Sequence, residues 1–305
     1  MITRIDHHGW QAITLGTPKL ELIAPLEIGP RIVSLRRPGG RNLLFEIEEQ
    51  LGGRNESQFR FRGGHRLWHS PEHPVRTYQT DNAPVGFEEL LKGKGFELTQ
   101  MVETATGLQK VIRVELISPN SVRLTHTLIN QGLWPVETSA WTLTMLRVGG
   151  LSVVPLPPKG QHPRDLLPEF SLVPWNYTDL SLPAWKIFPS FIRVDTRKVT
   201  TPQKIGLTDY PGWSAYWIDG DFFVKTSPVK RGANYPDRGC AFETYADPKL
   251  TELETLSPLV ALAPGKRITH VETWGLLSGL PKPASEDAYR GDILPAVNRW
   301  LKSLA

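Results

Sequence analysis

Cysteine is almost missing: Cys240 is the only one in 305 residues, which excludes an intrachain disulfide and a thiolate zinc cluster. One thiol in a chain this long suits a reducing compartment, and a buried strand is its expected place. No stretch approaches the ~18 consecutive apolar residues of a membrane span. The start MITRIDHHGWQAITLG also lacks a basic cap ahead of an apolar run. A cytoplasmic location with no membrane partner is therefore expected. Low-complexity tracts are absent too, and the net charge is only +4, with arginines and lysines spread along the chain and not gathered into a recognisable reading module. Nucleic acid is thus not an expected partner, and nothing calls for a cofactor.

What is abundant is period-two alternation, in LELIA (20–24), RIVSLRR (31–37), VIRVELI (111–117), SVRLTHTLI (121–129) and VETWGLL (271–277). Turn signals such as RPGGRN, KGKG, ISPNS, NQGLWP and DGD separate these runs at spacings that suit antiparallel hairpins and leave no room for crossover helices. The pattern predicts an all-β fold, a large antiparallel β-sandwich forming a single domain over 1–305. Only the tail over 285–304 reads as helical, with Ser285 as N-cap and Ile293, Leu294, Val297, Trp300, Leu301 and Leu304 at helical spacing, divided or restarted at Pro295. Between Pro155 and Pro189 the prolines forbid long regular elements, which predicts an excursion over the sheet that carries Trp175, Tyr177 and Trp185 as a binding wall.

The densest chemistry lies in FRFRGGHRLWHSPEH, residues 59–73. His65, His69 and His73 fall four apart, as zinc-binding histidines on a helix can, and a metal-dependent enzyme on that cluster is one reading. Gly63, Gly64, Pro71 and Pro74 argue against the helix, and HRLWH lacks the glutamate base of the zinc proteases, so no metal is expected. Extended, FRFR would put Arg60 and Arg62 on one face, where with Arg66 and the glycine amides they could receive an anion. Further along, Glu252 and Glu254 share a strand face ~7 Å apart, and Glu243 stands on the preceding strand. Close carboxyls on a half-buried face raise one another's pKa, which suits general acid or base work. Of the chain's ten tryptophans, Trp68, Trp175, Trp185 and Trp213 sit in turn-like surroundings and offer flat faces to a pyranose ring. His126 shares a face with Val122, Leu124 and Leu128 and reads as a core histidine.

Four pieces, LEIGPRIVSLRRPGGRNLLFE (26–46), FRGGHRLW (61–68), VRLTHTLINQGLWPV (122–136) and ELETLSPLVALAPGKRITHVETWGL (252–276), together resemble the galactose mutarotase-like superfamily, which includes aldose 1-epimerases and hexose-6-phosphate 1-epimerases. The resemblance implies a large β-sandwich and a small-molecule sugar as ligand, held by a monomer or homodimer. It implies ring opening in which a glutamate takes the C1-hydroxyl proton and a histidine protonates the ring oxygen. Glu254 matches that glutamate, and Arg62 matches an arginine that holds the anion in the phosphate branch. The histidine, due after the NQGLWP turn, has no counterpart in VETSAWTLTML. His65 or His69 is therefore expected to supply the acid, with Arg62 and Arg66 for an anionic group, Trp68 as platform, and Glu72, Glu243 and Trp213 as further sugar contacts. A non-catalytic carbohydrate-binding protein is the competing expectation.

Overall fold

The computed structural model describes residues 1–304. Its strands assemble into three antiparallel sheets of ten, eight and four strands. Three long strands, Leu108–Ser118, Ser121–Asn130 and Arg267–Ser278, lie side by side in the ten-stranded sheet, with Leu124 opposite both Val114 and Glu272. Each carries the alternation that predicted it: in Ser121–Asn130 the residues from Leu124 onward alternate between buried and half-exposed. The two large sheets face each other across a core that includes Leu67, Leu124, Phe223, Phe242, Leu253 and Trp274, and the N-terminal four-stranded sheet adds Ile13, Leu15 and Leu22 to it.

That interface is not wholly apolar. Lys225, from the ten-stranded sheet, is fully buried. Its Nζ lies 2.6 Å from Glu272 Oε1 and donates to Thr144 Oγ1 at 3.1 Å and to the Leu253 carbonyl at 3.0 Å, both in the eight-stranded sheet. Glu272 also accepts from Thr142 Oγ1 at 2.6 Å, from Thr255 Oγ1, and from Trp274 Nε1 at 2.7 Å. Every strong acceptor and donor at the centre is thus used, as burial in a low-dielectric interior demands. His65 Nε2 meets His126 Nε2 at 2.8 Å, and His270 Nε2 meets Thr255 Oγ1 at 2.6 Å. His126 is the core histidine the sequence suggested.

The outward faces of the two large sheets are treated differently. Ser285 caps the C-terminal helical run through its Oγ, and Ile293, Val297 and Trp300 pack on Phe191, Trp213 and Phe222 of the ten-stranded sheet. A π-helical turn at Tyr289–Ile293, immediately ahead of Pro295, absorbs the proline without breaking the run. Gly275 leaves room for the indole, since a Cβ there would come within 2.6 Å of the Trp300 ring. Trp213 is thereby sealed beneath the helix, and its expected sugar contact is not available. The cleft lies over the outward face of the eight-stranded sheet, walled in part by the 3-10 turn at Glu48–Gln50.

Removing one partner of the interlayer pair leaves a buried charge uncompensated. Lys225→Met should destabilise the chain by about 3–5 kcal/mol, read from urea unfolding. The imidazoles add an acid sensitivity. Burial pushes His126 down to about 4 and His270 to about 3, against the pull of Glu272. Both stay neutral when folded but take protons in the unfolded chain below 6.5. Their contribution is present above that value and is lost as pH falls toward the folded values. The urea midpoint should therefore drop as pH is lowered from about 7 to about 5. An unchanged midpoint would contradict the buried neutral imidazoles.

Candidate functional site

The site follows from strand parity. In His65–Ser70, Val136–Arg147 and Leu250–Leu256 the register sets Arg66 opposite Leu143 and Leu143 opposite Glu254, and Trp68 opposite Trp141. Across the next strands Glu254 lies opposite Glu243, Glu252 opposite Tyr245, and Tyr245 opposite Lys204. All of these face outward. The alternate residues, His65, Leu67, His69, Thr142, Leu253 and Thr255, face the core.

Over this outward face lies a cleft of about 1030 Å³, joined to a side chamber of about 460 Å³ through shared walls at Glu72, Tyr78, Trp141 and Lys204. Trp68 stands edge-on to Trp141 at 5.3 Å and to Tyr78 at 5.1 Å, which makes an aromatic wall. From the proline-rich excursion, Tyr177 reaches the cleft and Trp175 the side chamber, as its length and aromatics implied. Trp185 instead packs against the core.

At the floor sits Lys204. Its Nζ is 2.6 Å from Glu243 Oε2 and 2.9 Å from Glu254 Oε2, and it lies 4.8 Å from the ring centres of both Trp141 and Trp175. Glu254 Oε2 also accepts from Trp141 Nε1 at 2.7 Å, while its Oε1 has no partner. Burial alone would push Lys204 down, but the two carboxyl groups flanking it hold its ammonium well above the ordinary value. Burial, reinforced by Glu254 and opposed by Lys204, raises Glu243 well above the usual carboxylate range. Of the pair, Glu243 is the member that faces the side chamber. Two strand residues nearer the cleft, Glu252 is pushed up to about 8 by burial and by Glu254, against Lys204 and Arg66.

Several expected contacts lie elsewhere. His65 and His69 belong to a buried strand, not to a loop, and their odd-numbered positions turn both rings into the core, away from Glu254. His73 sits in a surface turn, its Nδ1 accepting from the amides of Val75 and Arg76, so the three histidines do not converge on a metal. A different group, His65, His126 and Glu272, brings its ligand atoms within 4.8 Å of one another, yet the Lys225 ammonium already occupies Glu272 there. FRFR is not a strand: Arg62 has a φ of 56° and is fully buried, paired with Glu56 and donating to Asn82 Oδ1 at 3.0 Å and to the Gln50 carbonyl at 2.7 Å. Arg66 does face outward, but Phe59, Phe61 and Trp68 enclose its guanidinium at 5.4, 5.4 and 5.1 Å. Neither arginine reaches an anion in the cleft. Trp68 and Glu72 line the cleft and Glu243 the side chamber, while Glu254 lies fully buried just beneath.

Lys204, Trp141, Tyr78 and Tyr245 are site residues the sequence reading missed. The one available signal was a lysine inside the apolar strand QKIGL, which needs a buried carboxylate partner.

No protein-family model and no curated protein matches the chain. Solved structures do. A galactose mutarotase-like protein from Clostridium acetobutylicum superposes with a TM-score of 0.59 at 11% identity, over 91% of this chain and 98% of that one. Another from Lactobacillus casei gives 0.57 at 8% identity, over 87% and 100%. The fold is galactose mutarotase-like. The chain also matches a TPR-domain-containing protein from Parabacteroides distasonis at a TM-score of 0.59 and 14% identity, covering 91% of this chain and spanning 50% of that one. Identities this low carry the mutarotase-like architecture and no more.

His69 offers a direct check on the inward-facing histidines. Both its ring nitrogens are buried without a partner, and burial, aided by Lys110 and Arg76, pushes it down to about 3. Replacing it by a leucine of similar size removes a desolvated polar group, so His69→Leu should hold or raise stability by about 1 kcal/mol in urea unfolding. A loss of about 2 kcal/mol or more would mean that the ring has a partner.

Proposed function

We propose that the chain binds a sugar in this cleft and interconverts its anomers with the Glu243/Glu254 pair as acid and base. The observation that carries the reading is that two buried carboxyl groups, opposite each other in register, share one lysine, and that burial raises Glu243 well above the usual carboxylate range. Two like charges this close do not both ionise readily, so such a dyad retains one proton. Mutarotation needs a base at the C1 hydroxyl and an acid at the ring oxygen, and those oxygens are bonded to the same carbon. A dyad is suited to serving both at once. Glu254 takes the hydroxyl proton through its unpartnered Oε1 while Glu243 delivers its proton to the ring oxygen. The ring opens, the carbonyl turns, and the transfers reverse on closure. Trp68, Trp141 and Tyr78 supply apolar faces for the sugar's C–H surface.

A binding-only protein is the second reading, and one observation favours it: Glu254 is fully buried, roofed by Trp141 and Lys204. Exchange NMR on the α and β forms of glucose separates the two. The enzyme reading expects exchange faster than buffer alone, reduced about 10²–10⁴-fold in Glu254→Gln and in Glu243→Gln. It also expects the rate to fall with rising pH on the alkaline side, because Glu243 must hold its proton to act. Sugar binding with an exchange rate equal to buffer would leave the binding reading alone.

A further inference from the structure

The chain carries a net charge of +4, but its cleft has the opposite sign. Glu46, Glu48, Glu49, Glu72, Asp247 and Glu252 line it, against Lys204 and Lys249. Lys204 is already bound by Glu243 and Glu254, and Lys249 lies exposed on the rim. Three of the carboxylates have protein partners: Glu46 with His7, Glu72 with the Tyr78 hydroxyl, and Asp247 with Tyr245 and two backbone amides. Glu252 is different. It is only 7% exposed, and its Oε1 has no hydrogen-bond partner. A buried carboxyl left without a counter-charge is costly unless a bound group supplies one.

Resting on the sugar-binding reading above, we propose that the cleft selects an amino sugar, its ammonium group seated against Glu252. Glu252 stands ~7 Å along the strand from Glu254, so a ring with its anomeric carbon at the dyad extends toward it. The ammonium donates to the free Oε1 in a charge-assisted hydrogen bond, and the acidic rim draws cations in and repels phosphorylated sugars. The charged and titratable groups around Glu252 are Glu254 on its own strand, Tyr245 across from it, Lys204, Arg66, Asp247 and Tyr78. Lys204 and Arg66 are the cations among them; Lys204 is committed to the dyad and Arg66 is enclosed by aromatic rings. Free Glu252 therefore holds its proton near neutrality. Seating an ammonium there ionises it, and the proton leaves to solvent.

Isothermal calorimetry of the full chain with glucosamine, glucose and glucose 6-phosphate tests this. Glucosamine should bind on the order of tenfold more tightly than glucose, with glucose 6-phosphate weakest. Titrations at pH near 7 in phosphate and in Tris should show release of about one proton per glucosamine and none per glucose. Glu252→Gln should abolish both the preference and the release; the wild-type proton count tests the assignment even if that variant does not fold. Glucose binding as tightly as glucosamine, glucose 6-phosphate binding best, or glucosamine binding without proton release would each overturn the inference and leave the anomeric chemistry standing. Failure of all three sugars to bind would overturn both.

Discussion

The fold is organised around one buried ion pair, Lys225 with Glu272, placed where the two large sheets meet. A charge pair in that position is stable only when its remaining donors and acceptors are filled, and the eight-stranded sheet fills them with Thr142, Thr144, Thr255 and the Leu253 carbonyl. Those residues must face inward. Because side chains alternate with a period of two, Trp141, Leu143, Glu252 and Glu254 must then face outward. A slip of one residue would expose the threonines, strip Glu272 of its hydroxyl donors and bury the outward glutamates in their place. The interlayer pair thus fixes register, and register delivers the carboxyl groups to the cleft.

The cleft repeats the same arrangement with a different balance. Inside, Lys225 meets one carboxylate that is itself held by three further donors, and Glu272 is pulled well below its ordinary value despite burial. Outside, Lys204 meets two carboxyl groups, and burial, reinforced by Glu254, raises Glu243 despite the lysine. The first arrangement is closed and inert. The second leaves three carboxylate oxygens, Glu243 Oε1, Glu252 Oε1 and Glu254 Oε1, without partners. These groups are gathered under the aromatic wall of Trp68, Trp141 and Tyr78.

Much of this was legible in the sequence, and the limits have physical causes. The alternating runs became strands, Ser285 became the cap of the C-terminal helix, and Glu252 and Glu254 share a face, because these depend on local periodicity alone. Which face looks outward does not. His65 and Arg66 are adjacent, and only the pairing of their strand with Val136–Arg147 decides that the imidazole enters the core and the guanidinium leaves it. The glycine pair misled in a similar way: Gly63 and Gly64 suggested a ligand loop, but their φ values of 88° and 75° and their close approach to the Phe45 and Ile32 carbonyls show a tight packing of backbones that starts a buried strand. Trp213 looked exposed because its flanking Pro211 and Gly212 mark a turn, yet the distant helix covers it. Lys204 is meaningful only beside Glu243 and Glu254, about 40 and 50 residues away in sequence.

The inward turn of His65 and His69 also keeps both imidazoles away from the two carboxyl groups. An imidazole beside Glu254 would need its own buried partner. With both rings on the other side of the sheet, the cation that bridges the two carboxyl groups is Lys204, whose ammonium is held charged. The two carboxyl groups differ in their partners: Glu254 takes the indole and the ammonium, and Glu243 takes the ammonium. That asymmetry is set by Trp141, which belongs to the strand that also supplies Thr142 and Thr144 to the interlayer pair. One strand therefore holds the core pair with one face and polarises the dyad with the other.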